Sequence, residues 1–318
     1  MSGMSADRIP ISRKESEFGR LPAFPWRRFL TGVLFVSPWL IGVLAFTIYP
    51  MAASLYYSFT RYRIVKPPEW VGVQNYVQIF TTDRDFPIVV RNTLWWAALS
   101  PVLGVVSAFL LASLLNARLL GRSMFRAIFY FPSIVPSVVT AFVWQFLLNV
   151  QYGAINATLK GWGLRAIPFL SSPRWVKPTL LLISMWSGGS AMIIFLAALQ
   201  DVPRVLYEAA TVDGASAWRK FWHVTIPMCS PAILFNLVTS FIYAFQSFTM
   251  AFLISGGDGS PDRATLFYVL HLWRNAFTYD RMGKACAMAW VLFVFIMALT
   301  ILLFRWSRQW VYYAGEAG

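Results

Sequence analysis

The chain has 318 residues, of which 58% are apolar and only 13% are charged, whereas soluble globular domains carry about 25% charged residues. This balance excludes an ordinary soluble domain and favours a chain that lies mainly in lipid. The formal net charge is +14 at pH 7, but the basic residues stand between apolar runs and do not gather on one polar face. We therefore predict no nucleic-acid partner.

Six long runs without a charged residue predict transmembrane helices, because a charge at the centre of a span costs about 2.5 to 3.5 kcal/mol. The runs cover residues 29–60, 92–117, 127–159, 178–200, 224–257 and 285–304. The shortest contains 20 residues, and at about 1.5 Å per residue it just crosses a hydrocarbon core of about 30 Å. The predicted fold is all-α, a polytopic bundle of about six transmembrane helices within a permease domain over residues 29–304.

Polar residues and prolines show where the longer runs leave the lipid. Tyr49 and Pro50 predict the far interface of the first span, and Asn149 predicts an exit near residue 148. Residues 255–257, Ser-Gly-Gly, end the fifth helix by loss of helix propensity. Three further prolines predict kinks or local packing features inside the bundle: Pro101, Pro132 and Pro136.

The two ends of the chain are polar. Residues 1–28 predict a disordered cytoplasmic N-terminal tail, and residues 305–318 a cytoplasmic C-terminal tail. An even number of spans places both ends on one side of the membrane. The basic residues divide almost evenly between the two sides, but Arg27 and Arg28 abut the first span and three arginines crowd the turn after the second. Both termini are therefore predicted to be cytoplasmic, and the first span is predicted to remain as an anchor.

The residue types needed for catalysis or metal binding are sparse. Cys229 and Cys286 lie inside apolar runs, so no disulfide framework is predicted. His223 and His271 fall on opposite sides of the membrane in this topology, which leaves no metal site. The chain also has no GxxxxGK[ST] phosphate loop and no nucleophile with a paired base. We expect a protein that is not an enzyme, with no catalytic residue and no cofactor of its own.

The most informative stretch lies between the fourth and fifth spans, at residues 201–227. From Glu208 it reads EAATVDGASAWRKFWHVTIPMCSP. The pattern predicts a short helix over residues 204–211. Asp213 and Gly214 then supply a turn, because glycine accepts a positive φ without strain.

A second short helix should follow that turn. Asp213 or Ser216 can cap it, and it runs through Trp218 and Phe221. Pro227 suits the opening of the fifth span. The segment therefore predicts a compact helix-turn-helix at the membrane surface.

This stretch resembles the cytoplasmic signature of the permease subunits of binding-protein-dependent ABC importers. That signature is EAA, three residues, Gly, nine residues, Ile, one residue and Leu-Pro. The chain keeps these spacings, with Val224 in place of the Ile and Ile226 in place of the Leu; the matching residues are Glu208, Ala209, Ala210, Gly214 and Pro227. The stretches FVSPWLIGVLAFTIYPMAASLYYSFT, WVGVQNYVQIF and GSPDRATLFYVL lean toward the sugar-permease branch.

The resemblance implies that residues 201–227 form a coupling loop that docks on a cytoplasmic ATPase. The implied ATPase-coupling residues are Glu208, Ala209, Ala210, Asp213, Gly214, Trp218, Phe221 and Pro227, with Trp222 as a further aromatic anchor. The alternative is an ordinary interfacial loop whose tryptophans belong to the aromatic belt.

The resemblance also implies the other subunits of the importer. These are a second, probably different permease subunit, two ATPase subunits that use ATP and Mg, and an extracytoplasmic solute-binding protein. The location is the bacterial inner membrane, and the solute is a sugar, an oligosaccharide or a glycerol-phosphate compound. Which of these is carried is not decided by the sequence.

A candidate solute path follows from polar residues inside spans, which should face a cavity or another helix and not lipid. In the fifth span, Asn236, Ser240, Tyr243 and Ser247 recur at intervals of four, three and four on one helical face, with Gln246 beside them. Further candidates are Trp186, Ser187 and Gly188, next to Gly189 and Ser190, and more weakly Trp144, Gln145 and Asn149. Interhelical hydrogen bonding and small-residue packing are the alternative for each.

Other readings stay open at this point. The outer segments, residues 61–91 and 258–284, could receive the binding protein through Tyr268, Trp273, Phe277 and Tyr279, or could be plain solvated loops. A stand-alone secondary transporter or channel should show charged residues within spans or inverted repeats, and neither is found. A structural or assembly protein would not need the loop around Glu208.

Overall fold

The computed structural model describes residues 26–117 and 120–312, without the side chains of Arg27 and Arg28. The predicted tails therefore lie outside the described residues, except at their inner ends. The N-terminal one is already helical from Trp26, and the C-terminal one is helical as far as Ser307. The chain forms two compact units that divide between Ala53 and Ser54.

The first unit is helical throughout its described part. Helix α1 (Trp26–Val43) passes through a π-helical turn (Leu44–Ile48) into α2 (Tyr49–Ser58). Pro50 lacks an N–H, and the π turn just before it adjusts the hydrogen-bond ladder. The helix continues past Tyr49 and Pro50 to Ser58. No described side chain of residues 26–53 is buried, which suits an apolar helix surrounded by lipid.

In the second unit, a small hairpin follows the end of α2. Strands β1 (Thr60–Arg63) and β2 (Lys66–Trp70) pair antiparallel, and α3 (Gln74–Thr81) and the long α4 (Phe86–Asn116) follow. The next helices are α5 (Arg122–Ile134), α6 (Ser137–Leu147), α7 (Ala154–Gly161), α8 (Pro173–Trp186) and α9 (Gly189–Asp201).

The segment after α9 is a series of short helices. It comprises α10 (Arg204–Val212), α11 (Ala217–Lys220), a π turn (Phe221–Thr225) and α12 (Ile226–Met228). The chain then forms α13 (Ser230–Phe245), α14 (Thr249–Ser255), α15 (Tyr268–Trp273), a π turn (Arg274–Thr278) and α16 (Met282–Ser307).

Within the described residues, four helical segments are long and apolar enough to cross a membrane on their own: Phe29–Ser58, Phe86–Asn116, Ser230–Ser255 and Met282–Ser307. Two further helix pairs meet the same test only together. The pair α5 and α6 is bent by 100°, and the pair α8 and α9 by 47°. If each pair counts as one span, the total is six, as the sequence predicts.

The bends have local causes. Val135 ends α5 in an extended conformation, with φ −70° and ψ 126°, because it precedes Pro136. Pro136, with φ −55° and ψ 139°, then precedes α6. In the second pair, the break falls at Ser187 and Gly188. The predicted kinks at prolines therefore include a complete break of the third span.

Two other predicted boundaries are confirmed. Helix α6 ends at Leu147, next to the predicted exit near residue 148. Helix α14 ends at Ser255, where Gly256 takes the left-handed conformation with φ +66°. Glycine permits this C-terminal stop because it has no Cβ to clash.

Helix α4 lies at the centre of the second unit, in contact with α8, α9 and α13. Its first half belongs to an apolar core shared with α8, α14, α15 and α16. Its second half belongs to another core shared with α9 and the start of α13, in which Phe109 meets Phe195 edge to face at 5.2 Å. This helix therefore connects both cores of the unit.

A buried ionic cluster joins three segments that are distant in sequence. Asp83 precedes α4, His271 lies on α15 and Lys284 on α16, and their side chains are only 7%, 3% and 9% exposed. Asp83 Oδ2 lies 2.8 Å from His271 Nε2 and accepts a hydrogen bond from Lys284 Nζ at 2.6 Å. Burial raises the pKa of Asp83, but these hydrogen bonds and charges outweigh it and hold the pKa well below its usual range.

Candidate coupling segment and solute cleft

The turn after α10 explains the glycine of the EAA pattern. Gly214 has φ +71°. Its N–H donates to the Thr211 carbonyl at 3.0 Å, and the Ala215 N–H donates to the Ala210 carbonyl at 2.8 Å. These two bonds form a Schellman motif, which satisfies the last carbonyls of the helix and requires a left-handed residue at this position.

The second helix begins after this turn. Of the two predicted caps, the structure uses Ser216, whose Oγ accepts the Arg219 N–H at 3.4 Å. Helices α11 and α12, joined by their π turn, run without a break to Met228. Pro227 lies in this last helical turn, and the fifth span itself begins at Ser230. The predicted helix-turn-helix is present.

Side-chain contacts fix the two helices against each other. The Tyr207 hydroxyl and Thr225 Oγ1 are hydrogen-bonded at 2.9 Å. Lys220 Nζ donates to Thr211 Oγ1 at 2.8 Å. Both bonds link α10 to the helix that leads into the fifth span, so the segment can move as one body.

Phe221 and Trp218 have different surroundings. Phe221 packs into the second core, with its ring 5.9 Å from that of Phe109 on α4. Trp218 stacks on Phe221 at 6.1 Å but is 68% exposed, and Trp222 is also exposed. Phe221 therefore attaches the segment to its own bundle, and the two tryptophans face outward.

The outward surface of α10 is apolar around a single carboxylate. Val205, Glu208 and Val212 are spaced three and four residues apart, so they share one face. Val205 and Val212 are 70% and 89% exposed. Glu208 is also exposed and has no ion-pair partner among the described residues. Of the other signature residues, Ala209 and Asp213 are exposed and Ala210 is half-buried.

The candidate solute stripe on the fifth span is not uniformly accessible. Asn236 is buried, and its Nδ2 donates to the Ala232 carbonyl of its own helix at 2.9 Å. Tyr243 is 74% exposed, and Ser240 is half-buried. Helix α13 ends at Phe245, so Gln246 and Ser247 lie in the break before α14.

The candidates on the fourth span lie at its bend. Trp186 meets Trp144 edge to face at 5.6 Å. The Ser187 hydroxyl donates to the Ile183 carbonyl one turn earlier at 3.3 Å, and Gly188 follows at the break. These contacts bring candidates from the third and fourth spans together.

A cleft in the second unit has a volume of about 920 Å³. It opens beside the end of α6 and the loop after α14. Gln145 donates to the Leu253 carbonyl at 2.8 Å, and Asn149 Oδ1 accepts the N–H of Gln151 at 2.9 Å. The polar lining residues are Gln145, Asn149, Gln151, Tyr152, Ser171 and Ser260. Of the candidate path residues, only Gln145 and Asn149 line this cleft.

The sequence does not predict the other polar residues that line the cleft, because they lie in loops where no helical period relates them.

The aromatic residues of the outer segments differ in their exposure. Tyr268 is buried and its hydroxyl donates to the Met288 carbonyl at 2.9 Å, whereas Phe277 and Tyr279 are 60% and 41% exposed. In the part of the chain that the structure describes, no three metal-ligating side chains come together.

Up to six spans, with an exposed helix-turn-helix between the fourth and the fifth, define a polytopic membrane protein. Residues 100–312 match the family described as "Binding-protein-dependent transport system inner membrane component". The chain belongs to this family. The resemblance seen in the sequence is thereby confirmed: the chain is the membrane permease subunit of an ATP-driven, binding-protein-dependent importer, and its role is not enzymatic.

Relatives match over nearly the whole chain. The probable ABC transporter permease protein YesP of Bacillus subtilis (strain 168) is 41% identical over 90% of this chain and 93% of its own length. The sulfoquinovosyl glycerol transport system permease protein SmoG of Agrobacterium fabrum is 30% identical over 88% and 91%. The sn-glycerol-3-phosphate transport system permease protein UgpA of Yersinia pestis is 29% identical over 88% and 95%.

A solved structure shares the fold. It is a bacterial alginate ABC transporter in complex with alginate pentasaccharide-bound periplasmic protein. One chain of that structure superposes with a TM-score of 0.79 at 25% identity, over 89% of this chain and 96% of its own length.

Proposed function

We propose that this chain carries a carbohydrate or a glycerol-phosphate-like solute across the inner membrane, as one of two permease subunits with cytoplasmic termini. The relatives support this solute class, because their names specify sulfoquinovosyl glycerol, lactose and sn-glycerol-3-phosphate. The polar lining of the cleft supports it as well, since amides, hydroxyls and a tyrosine suit a polyhydroxylated solute. The identity of the solute rests partly on side chains that a second permease and an external binding protein supply.

The observation that carries the proposal is the outward surface of the coupling segment, residues 201–227. An exposed apolar face with one carboxylate, Glu208, and two exposed tryptophans has the composition of a docking surface for another protein. A pair of cytoplasmic ATPase subunits is the proposed partner. This chain has no phosphate loop. In this proposal the ATPase subunits therefore bind the ATP and Mg that drive transport.

The route of the motion follows from the contacts of the segment. When the ATPase displaces α10, the Tyr207–Thr225 hydrogen bond transmits the displacement to the helix that leads into the fifth span. It also passes through Phe221 to Phe109 on α4. In this proposal Phe221 transmits motion, while Trp218 and Trp222 dock. A rigid-body displacement of this kind opens or closes the solute path.

The opposite side of the membrane receives the binding protein in this proposal. Phe277 and Tyr279 are the exposed aromatic residues of the segment between α15 and α16. Residues of this type anchor protein interfaces because they bury large areas at low entropic cost. Tyr268 is excluded from this surface by its burial.

The decisive experiment reconstitutes this chain with its partner permease, the ATPase and the binding protein in proteoliposomes. Labelled solute should accumulate only when both ATP and the binding protein are present. Accumulation by this chain alone, driven by an ion gradient, would show a secondary transporter and reject the proposal.

The coupling surface is tested in the same complex by Glu208→Gln. Loss of the charge should reduce solute-stimulated ATP hydrolysis about tenfold, as expected when a charge-assisted hydrogen bond at an interface is lost. Glu69→Gln is the matched control, since Glu69 is an exposed carboxylate on the β-hairpin. Wild-type activity in the Glu208→Gln variant would show that the segment is dispensable for coupling and would favour a structural or assembly role.

A further inference from the structure

Lys177 is a partly buried cation without a counter-ion. It lies on the second turn of α8 against α4, where its Nζ donates to Asn92 Oδ1 at 2.6 Å and lies 5.5 Å from the centre of the Trp95 ring. Among the described residues, no carboxylate comes within 4 Å of its ammonium. A partly buried ammonium among neutral groups loses part of its hydration, which costs free energy unless an anion binds to it.

The fold sets the position of this ammonium. Asn92 is fully buried, and its Nδ2 donates to the carbonyls of Arg263 and Leu266 at 2.8 and 3.3 Å. These bonds fix the amide so that its oxygen faces Lys177. An ammonium has three N–H donors. One of them donates to Asn92 Oδ1, so two remain for a ligand.

A second cation stands beside the first. Arg91 is exposed on α4 and immediately precedes Asn92, whose Oδ1 accepts the hydrogen bond from Lys177. Arg91 also has no carboxylate within 4 Å in the described part of the chain. Two cations flanking one fixed amide form a site whose positive charge an anionic oxygen group would balance.

The surroundings of the pair indicate where the anion comes from. Arg91 and Lys177 immediately precede the charge-free runs of the second and fourth spans, which is the level of the lipid headgroups. Leu94, Ala98 and Val102 continue from Arg91 along one exposed face of α4. Neither cation lines the solute cleft.

We propose that Arg91 and Lys177 bind the phosphate of a phospholipid headgroup whose acyl chain lies along Leu94, Ala98 and Val102. Trp95 shields the ammonium from the lipid interior, as interfacial tryptophans do. The site lies outside the lining of the cleft described above. An acidic phospholipid should bind more tightly than a zwitterionic one, because the pair carries two positive charges.

Native mass spectrometry of the purified importer tests this site with phosphatidylglycerol and phosphatidylcholine as probes. The wild-type complex should retain phosphatidylglycerol in preference, and Lys177→Met should weaken that retention about tenfold. The double variant Arg91→Met with Lys177→Met should lose the preference. Lys177→Arg should restore it, which would separate loss of the charge from misfolding.

Lys160→Met is the control for a lysine outside the site, because Lys160 is exposed in the last turn of α7 and its Nζ donates to the Val150 carbonyl. Equal retention by the wild type and the Lys177→Met variant, or an equal loss in the Lys160→Met variant, would overturn the proposal. Unchanged lipid retention with a selective loss of uptake of a uronate oligosaccharide would overturn it too, since the cations would then serve the solute.

Discussion

Gly214 has a backbone conformation that other residues adopt only with strain. Its φ is +71°, and a Cβ added there would meet no atom within 4 Å. Gly214→Ala should therefore cost about 1 to 2 kcal/mol through the backbone alone. Because the Schellman turn orients α10, we expect a lower rate of solute-stimulated ATP hydrolysis in the assembled importer.

The matched control for this variant is Gly163→Ala. Gly163 has φ +75° and equally open surroundings, but it lies in the loop after α7. Both variants should lose similar thermal stability, and only Gly214→Ala should lose coupling. A coupling defect of the same size in both would show that general destabilisation accounts for it.

Asp83 holds two buried basic side chains, His271 and Lys284. Asp83→Asn removes the only carboxylate among the described residues that contacts them. The variant should lose about 3 to 5 kcal/mol of stability near neutral pH, because a buried cation is left without its partner. Thermal unfolding of the purified protein in detergent measures this loss.

The pH dependence of the same difference follows from the pKa of Asp83, which the fold holds below its ordinary value. A carboxyl with a depressed pKa stabilises the fold fully above its unfolded pKa of about 3.9 and loses that contribution as pH falls toward its folded pKa. The gap between wild type and Asp83→Asn should stay constant from pH 7 to about 5 and shrink below about 4. A gap that already closes at pH 6 would contradict the assignment to Asp83.

At the scale of elements, Gly189 allows α9 to approach α5 closely. An added Cβ would lie 2.7 Å from the Phe129 carbonyl oxygen and 2.9 Å from Tyr130 Cα. Backbone atoms cannot rotate away, so Gly189→Ala should cost about 1 to 3 kcal/mol and alter the bend between α8 and α9. Thermal unfolding measures the cost. Gly104→Ala in α4, where a Cβ meets nothing within 4 Å, should be neutral or slightly stabilising.

The sequence predicts the spans and the coupling turn well because each has a local signal. Charge-free runs mark the spans, and Gly214 between two short helical patterns marks the turn. The 100° break at Pro136 is only partly predictable, since a proline indicates a kink but neighbouring helices decide its angle. The cleft and the Asp83 cluster escape prediction, because they join residues such as Ser171 and Ser260, or Asp83 and Lys284, that no sequence period relates.

At the scale of the whole molecule, the proposed topology places Val65 on the β-hairpin and Val212 in the coupling segment on opposite sides of the membrane. They are 87% and 89% exposed, so a cysteine at either position should react readily. In a background with Cys229→Ala and Cys286→Ala, a membrane-impermeant maleimide should label Val65→Cys in intact cells. It should label Val212→Cys only after permeabilisation. Labelling of both in intact cells would contradict the proposed orientation.

The Asp83 cluster also constrains the order in which the chain can mature. Asp83 leaves the ribosome 188 residues before His271 and 201 before Lys284, so its carboxylate must stay hydrated while the intervening spans are inserted. Only after the last span arrives can this part of the protein exclude water. A nascent chain stalled before α16 would therefore be an open, incompletely closed bundle, in which quality-control proteases can reach the region around Asp83.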